Sequence, residues 1–463
     1  MRRALLSETI DPDGALPHWM SPDVARCGWD VHRLPTQEAI HLLGPGAYAD
    51  LVVDVVTELR PHVLVVHPPV DFLSGSACAA IRATGTRLVG LGFDDALYAS
   101  AWSDREGAGF RDLAARFDVW ATTAMAGPTV DAGALPVRWA LSPECVADND
   151  PGAPAHDVVL VGRWTAERAA LIAALDDAGI AVAAYGQGWP SGPVSRARML
   201  GLWRKARCVL TPSDGRDMLK GRFLEAAFVG ASQLIEACSD LPFYFREQGT
   251  AVGFRGAAEC VARARGAPTP PPELGAYRWT RRWPELMTHV PASPLDAGPG
   301  SSRTLARLFT TLGHAAEARG SLALAAACFA AWSGERPDDP AARLACARVA
   351  FTQERHANVL AALALLASDV GSPAAVDGLD AFAPAHGQGT GLGLSGALDP
   401  WLESTALQLA SHLALGQPSA ALELARRQPT HRLAALRELL ARDDTPEHAA
   451  LWSALGHGPP TTR

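Results

Sequence analysis

The chain predicts an α/β fold of parallel, doubly wound sheets followed by an all-α region, and three observations carry that reading. Between Asp157 and Phe254, apolar runs alternate with helical patterns of roughly 10 to 15 residues, as strands joined by crossover helices do. The polar and unusual residues of that stretch fall at the ends of the apolar runs, where open α/β sheets hold their ligands. From Ser302 onward the composition turns to Ala- and Leu-rich helices.

Composition bounds the rest. At 463 residues, 48% hydrophobic and 19% charged, the chain has room for a large core and, at roughly 150 residues per domain, about three domains. A net charge of -8 with no long basic run argues against a nucleic-acid partner. No 18-residue apolar run is present and the apolar stretch in MRRALLSETIDPDG is too short for a signal peptide, so no membrane span and a cytoplasmic location are expected. Eight cysteines without a CxxC pair suggest neither a zinc site nor a disulfide framework.

Residues 1 to about 150 read as a first α/β unit. RALLS begins a strand, 29–32 is a short one, and 47–59 is an amphipathic helix leading into the strand PHVLVVHPP. A helix near 77–84, the strand RLVGLGF, the acidic pair Asp94 and Asp95, a helix around 109–116 and the strand DVWATT follow. The triplets Asp11/Asp13 and Asp148/Asp150 belong to a turn and to a Pro- and Gly-rich linker, so no metal is required of them.

The second unit opens with DVVLVGRW, and the helix TAERAALIAALDDAG starts on a capping Thr165. IAVAAYGQGW, CVLTPS and SQLIEA supply three further strands, with DGRDMLKGRFLEAAFVG before the last. Its unusual residues are Gly162, Arg163, Arg168, Tyr185, Gly186, Gly188, Thr211, Ser213, Asp217, Lys220, Arg222 and Glu225. Glycines and cations at strand ends and first helical turns, where free N–H groups and the helix dipole already favour an anion, point to a phosphate-bearing ligand. Lys205 and Lys220 are the only lysines in the chain, which makes Lys220 less apt to be solvated filler. Taken singly, Asp217 could cap a helix beginning near Met218, and Arg222 with Glu225 could be an i,i+3 surface pair.

After Phe254 come the helix AAECVARARG, a Pro-rich break, YRWTRRWPELM and the linker PASPLDAGPGSS. The helical region then follows the 34-residue tetratricopeptide pattern, with Leu312-Gly313, Ala325, Phe329 and Pro337 at the expected offsets. A second copy spans 341–368 with Ala347 where Gly313 stood, and a further helical pair begins at Asp399-Pro400. The Gly-rich insert 386–396 between them reads as a loop and not as a phosphate cradle, since no strand precedes it and no Gly-Lys-Ser follows.

The ordered set VGRWTAERAALIAAL, YGQGW, a strand ending in TPS, LKGRFLEAAFVGASQLIEA and GTAVGF resembles the nucleotide-sugar half of a GT-B glycosyltransferase. It resembles in particular the CgeB-like spore-maturation glycosyltransferases and the wider retaining family with an E-x7-E motif. FDDALY and FDVWATT resemble the first domain of the same group, and YRWTRRWPELM resembles the closing helix that crosses back onto that domain, so the likeness covers about 1–290. It implies a GT-B fold of two Rossmann-like domains: an acceptor domain at 1–150, a nucleotide-sugar domain with its closing helix at 151–290, and then a tetratricopeptide-like domain at 301–463.

In that family the first acid of the motif faces the donor sugar and the second holds ribose hydroxyls, with Arg or Lys on the diphosphate. The second acid is then Glu225, and Asp217 stands eight residues earlier in place of Glu. Lys220, Arg163, Arg168 and Arg222 are the diphosphate candidates, while Gly162, Tyr185, Gly186, Thr211 and Ser213 complete the donor site. The catalytic set expected is Asp217, Lys220, His67 and Asp95. His67, at the crevice end of its strand, suits a general base or a sugar-hydroxyl partner, or else packs under the Pro68-Pro69 turn. Asp94 and Asp95 would line the acceptor site or cap a helix, and Glu8 has only its position near the crevice in its favour.

The resemblance implies transfer from a nucleoside-diphosphate sugar, a UDP-sugar foremost, to an acceptor hydroxyl, with retention and with neither metal nor other cofactor. The repeats would recruit a protein or peptide acceptor or mediate self-association into a homo-oligomer. Two alternatives stay open: a nucleotide-sugar epimerase or hydrolase on the same fold, and a decayed transferase serving as a repeat scaffold.

Overall fold

A computed structural model describes residues 1–8, 20–67, 73–92, 114–125, 127–143, 156–213, 219, 221–245, 252–266, 274–296, 303–336, 339–353, 355–369, 400–415, 417–426 and 428. The chain divides into two compact units, Met1–Ser301 and Ser302–Arg463. The first is α/β with two parallel sheets and the second is helical.

The first sheet is built from β1 (Arg2–Ser7), β2 (Trp29–Leu34), β3 (Val63–Val66), β4 (Arg87–Gly92), β5 (Val119–Thr122) and β6 (Leu135–Pro136), ordered β2-β1-β3-β4-β5-β6. Every pairing is parallel. β3 is buried at all four positions, as a strand covered on both faces by crossover helices must be. Those helices are α1 (Ser21–Arg26), α2 (Thr36–Leu43), α3 (Pro45–Leu59), α4 (Gly75–Ala83) and the short α5 (Pro128–Asp131). Gly90 in β4 is required by packing, because a Cβ there would lie 2.2 Å from the Trp120 ring of β5.

The second sheet has the order β11-β10-β9-β7-β8, again all parallel, from β7 (His156–Val161), β8 (Val182–Tyr185), β9 (Ala206–Thr211), β10 (Gln233–Glu236) and β11 (Val252–Phe254). Its helices are α6 (Ala166–Asp177), α7 (Arg196–Arg204), α8 (Arg222–Phe228), α9 (Leu241–Phe245) and α10 (Gly256–Arg265). The four expected strands form, and the quoted tail GTAVGF supplies a fifth. The reversal of strand order lies between β7 and β9, and in the first sheet between β1 and β3. Such reversals open a crevice beyond the carboxyl ends of the two strands, here at Gly162 and Thr211 in one sheet and at Glu8 and His67 in the other.

The chain crosses between the sheets twice. After β6, Trp139 and Leu141 enter the core of the second sheet with Val159, Met199 and Phe223. A buried hydroxyl ties the crossing: Tyr244 Oη accepts from the Trp139 N–H at 2.9 Å and donates to the Thr123 carbonyl at 2.9 Å. The return is made by α11 (Trp279–Met287), whose Trp279, Trp283 and Leu286 pack in the first sheet's core beside Ala4, Val63 and Val89. Asp23, fully buried, accepts from Arg278 at 2.8 Å and from the Thr280 N–H at 3.3 Å, fixing α11 to α1.

In the helical unit, α12 (Arg303–Ala318), α13 (Leu322–Glu335), α14 (Pro340–Thr352), α15 (His356–Asp369), α16 (Pro400–Ala414) and α17 (Pro418–Arg426) pack in sequence. Gly313 lets α12 and α13 approach closely, since a Cβ would stand 2.3 Å from the Phe329 ring. Ala347 is fully buried on α14, in a cluster with Val359, Leu363 and Leu407. Pro337 and the Gly-rich insert lie outside the described residues. Among the described residues no helix is long and apolar enough to cross a membrane.

Candidate functional site

The crevice of the second sheet is shaped by glycine backbone. The Gly162 N–H, one residue past β7, donates to the Tyr185 carbonyl at 2.8 Å, and the Gly162 carbonyl accepts from Trp189 Nε1 at 2.9 Å. Gly186 follows β8 with φ +131, and a Cβ there would be 2.2 Å from the Gly162 carbonyl oxygen. Both its backbone angle and its neighbour therefore require glycine. Gly188, at φ +87, packs in the same way under Trp164.

Cations gather around this backbone. Thr165 caps α6 by accepting the Arg168 N–H at 3.3 Å, as the capping reading expects. The Arg168 guanidinium turns back to the Arg163 carbonyl at 2.6 Å, and a Cβ on Gly162 would lie 2.4 Å from its Nη1. Arg222, at the first position of α8, donates to the Val161 carbonyl at 2.5 Å. Arg163 and Arg222 are exposed. The start of α6 and these guanidinium groups thus share the end of β7, a region of positive potential.

Glu225 stands on α8 with its side chain only 3% exposed, and its Oε1 accepts from Arg196 Nη1 at 2.8 Å. Its structural partner is therefore Arg196, the first residue of α7, and not Arg222 one helical turn away. Thr211 ends β9 and Ser213 lies two residues beyond it, both buried, and Glu236 Oε2 accepts from both the backbone N–H and the hydroxyl of Ser213 at 2.7 Å. The Arg198 guanidinium lies 5.7 Å from the Tyr185 ring centroid, a cation–π contact. Arg196 and Glu236 were absent from the sequence candidates, although Glu236 ends the apolar run SQLIEA as the other site residues end theirs.

In the first sheet, His67 directly follows β3 and is half-buried. Glu8 is occupied structurally: its carboxylate accepts from the N–H groups of Met20 and Ser21 at 3.0 and 3.1 Å and from the Ser21 hydroxyl at 3.0 Å, holding the start of α1. Burial raises its pKa, against the lowering effect of these hydrogen bonds. Asp94, Asp95, Asp217, Lys220 and the triplets Asp11/Asp13 and Asp148/Asp150 lie outside the described residues.

Residues 167–282, from α6 to the first turn of α11, match a family described as glycosyl transferase-like. No curated protein matches the chain. Similar solved structures include the glycosyltransferase AviGT4 of avilamycin A biosynthesis, at 13% identity over 62% of this chain and 97% of that one, with a TM-score of 0.40. The UDP-GlcNAc 2-epimerase of Methanocaldococcus jannaschii is 12% identical over 62% of this chain and all (100%) of its own, TM-score 0.39. Anabaena HepE, in complex with UDP and glucose, is 12% identical over the same shares, 62% and 100%, TM-score 0.38.

Proposed function

We propose that the chain is a GT-B glycosyltransferase resembling the CgeB-like enzymes, which moves a sugar from a nucleoside-diphosphate sugar to an acceptor hydroxyl with retention and without a metal. The observation that carries this is the crevice at the reversal point of the second sheet. There, glycine backbone, the start of α6 and the exposed Arg163 and Arg222 surround one strand end, with the buried, oriented carboxylate of Glu225 on α8. The match of 167–282 to the glycosyl transferase-like family supports it.

In this reading the diphosphate of a UDP-sugar lies over the Gly162–Gly186 backbone and is neutralised by Arg163, Arg222 and Lys220. Fixed cations stabilise the negative charge that grows on the leaving diphosphate, a role that needs no proton transfer. Glu225 receives the ribose hydroxyls, with Arg196 holding one carboxylate oxygen so that the other is oriented. Asp217 faces the donor sugar, and His67 and Asp95 serve the acceptor from the first sheet's crevice. The helical region, read as tetratricopeptide-like, recruits a protein or peptide acceptor.

A screen of nucleotide sugars for thermal stabilisation tests the donor assignment. A ligand at 100 times its dissociation constant adds ~2.7 kcal/mol, and failure of every nucleotide sugar to stabilise the chain would refute it. Product analysis with the stabilising donor then separates transfer from hydrolysis or epimerisation. A chain truncated after Gly300 is expected to bind and slowly hydrolyse donor yet lose transfer to its natural acceptor; undiminished transfer would remove the recruiting role.

A further inference from the structure

Just ahead of α8, Leu219 is buried and both of its backbone polar groups are held by side chains from other elements. Its N–H donates to Asp240 Oδ2 at 3.1 Å, and its carbonyl accepts from Trp139 Nε1 at 3.2 Å. Gly221, the residue before α8, packs on the same indole, since a Cβ there would lie 2.7 Å from the Trp139 ring. The Gly221 carbonyl in turn accepts the Leu224 N–H of the first helical turn at 3.0 Å. Both holders reach back to the first sheet. Asp240 is 1% exposed, and its second oxygen, Oδ1, accepts the Met125 N–H at 2.9 Å, three residues past the end of β5. Trp139 is tied to the neighbouring Thr123 through the Tyr244 hydroxyl.

Where α8 begins decides where its site residues stand, because Arg222 is its first residue and Glu225 lies one turn further on. A binding constellation keeps its geometry to within about 0.5 Å only if the residues around it lock the elements that carry it. An ionised carboxylate suits that task at this point: it is acceptor-only, so each oxygen can take one buried N–H in a charge-assisted bond. We propose that Asp240 is a positioning residue of the donor site: by holding Leu219 against the end of β5 it fixes the entry of α8, and with it Arg222 on the diphosphate and Glu225 on the ribose. This rests on the reading of the crevice beyond β7 and β9 as the donor site. It adds that the donor helix is set relative to the sheet assigned to the acceptor through one buried side chain.

Calorimetric titration of UDP into the full chain tests this with Asp240→Asn. Asparagine keeps the shape but offers one acceptor oxygen and sets an NH2 group against the other backbone N–H. UDP affinity is expected to fall by about threefold or more, as part of a charge-assisted contact is lost. The loss should run through α8, so Asp240→Asn combined with Arg222→Ala should weaken UDP by less than the product of the two single effects. A residue that only stabilises the fold would leave the affinity of the folded protein unchanged. Asp23→Asn, which loosens the attachment of α11 to α1 instead, is expected to leave UDP binding in place. Should Asp240→Asn fail to fold, Trp139→Phe decides in its stead, since it removes the donor to the Leu219 carbonyl and keeps Asp240; the same loss and the same coupling to Arg222→Ala are expected. If the unmodified chain does not bind UDP, or Arg222→Ala does not weaken it, the donor-site reading falls and the inference with it. If both hold, the inference alone is overturned by an unchanged affinity in the deciding variant, by losses that multiply, or by an equal loss in Asp23→Asn.

Discussion

Arg196 and Glu225 form the contact on which the site turns. Arg196→Ala leaves the Glu225 carboxylate, 3% exposed, without its cation, and breaking one side of such a pair costs roughly 3 kcal/mol. Glu225→Ala should weaken nucleotide binding by about tenfold or more, as loss of a charge-assisted hydrogen bond does. The double variant separates the two effects: it should recover part of the stability measured by denaturant unfolding while nucleotide binding by calorimetry stays weak. Full recovery of both would make Glu225 a purely structural residue. At this scale the sequence was readable where the cause is local. The Thr165 cap is set by residues within one turn, and the glycines at 162 and 186 stand out beside apolar runs. Arg196 with Glu225 and Glu236 with Ser213 were not readable, because they join residues 29 and 23 positions apart whose meeting depends on strand order.

Elements were legible where periodicity runs long enough. β7 and α6 show as an apolar run and a capped helix, whereas β11, three residues, and β6, two, are too short for any period to show. Gly313 and Ala347 were singled out by spacing, and the structure supplies the reason at the first position, the Phe329 ring lying where a side chain would go. Between helices α12 and α14, Glu317 accepts from Arg348 at 3.0 and 3.1 Å. Burial would raise the Glu317 pKa, but His314 and Arg348 hold it below the ordinary carboxylate value of 4.5. A depressed carboxylate contributes stability that is present above its unfolded pKa and is lost as pH falls through the folded value. The stability gap between the unmodified chain and Arg348→Gln should therefore be constant above about pH 5 and close on acidification, as followed by unfolding at several pH values. A gap that widens toward acid would show that the pair does not act through Glu317.

For the molecule as a whole, the alternation of strands and helices marks two α/β halves, and the resemblance of YRWTRRWPELM anticipates the return of the chain to the first sheet. What pattern alone does not show is how the crossings are locked, since that needs Asp23, Asp240 and Tyr244 to find partners more than a hundred residues away. Asp240 accepts from the N–H groups of Met125 at 2.9 Å and Leu219 at 3.1 Å. Tyr244 holds Trp139 and Thr123, and burial raises its hydroxyl pKa well above the ordinary value. Tyr244→Phe leaves a buried N–H and carbonyl without this partner and should cost about 1–3 kcal/mol, read as a lower midpoint in denaturant unfolding. An unchanged midpoint would mean that the crossings are held by apolar packing alone.

The central claim is that the crevice beyond β7 and β9 is the donor site, and titration of UDP into the full chain and its variants addresses it most directly. Saturable binding is expected in the unmodified chain, weakened about tenfold or more by Glu225→Ala, weakened also by Gly186→Ala and Arg222→Ala, and unchanged by His67→Ala in the other sheet. Binding that is indifferent to all three changes around β7, or that is lost instead in His67→Ala, would contradict it.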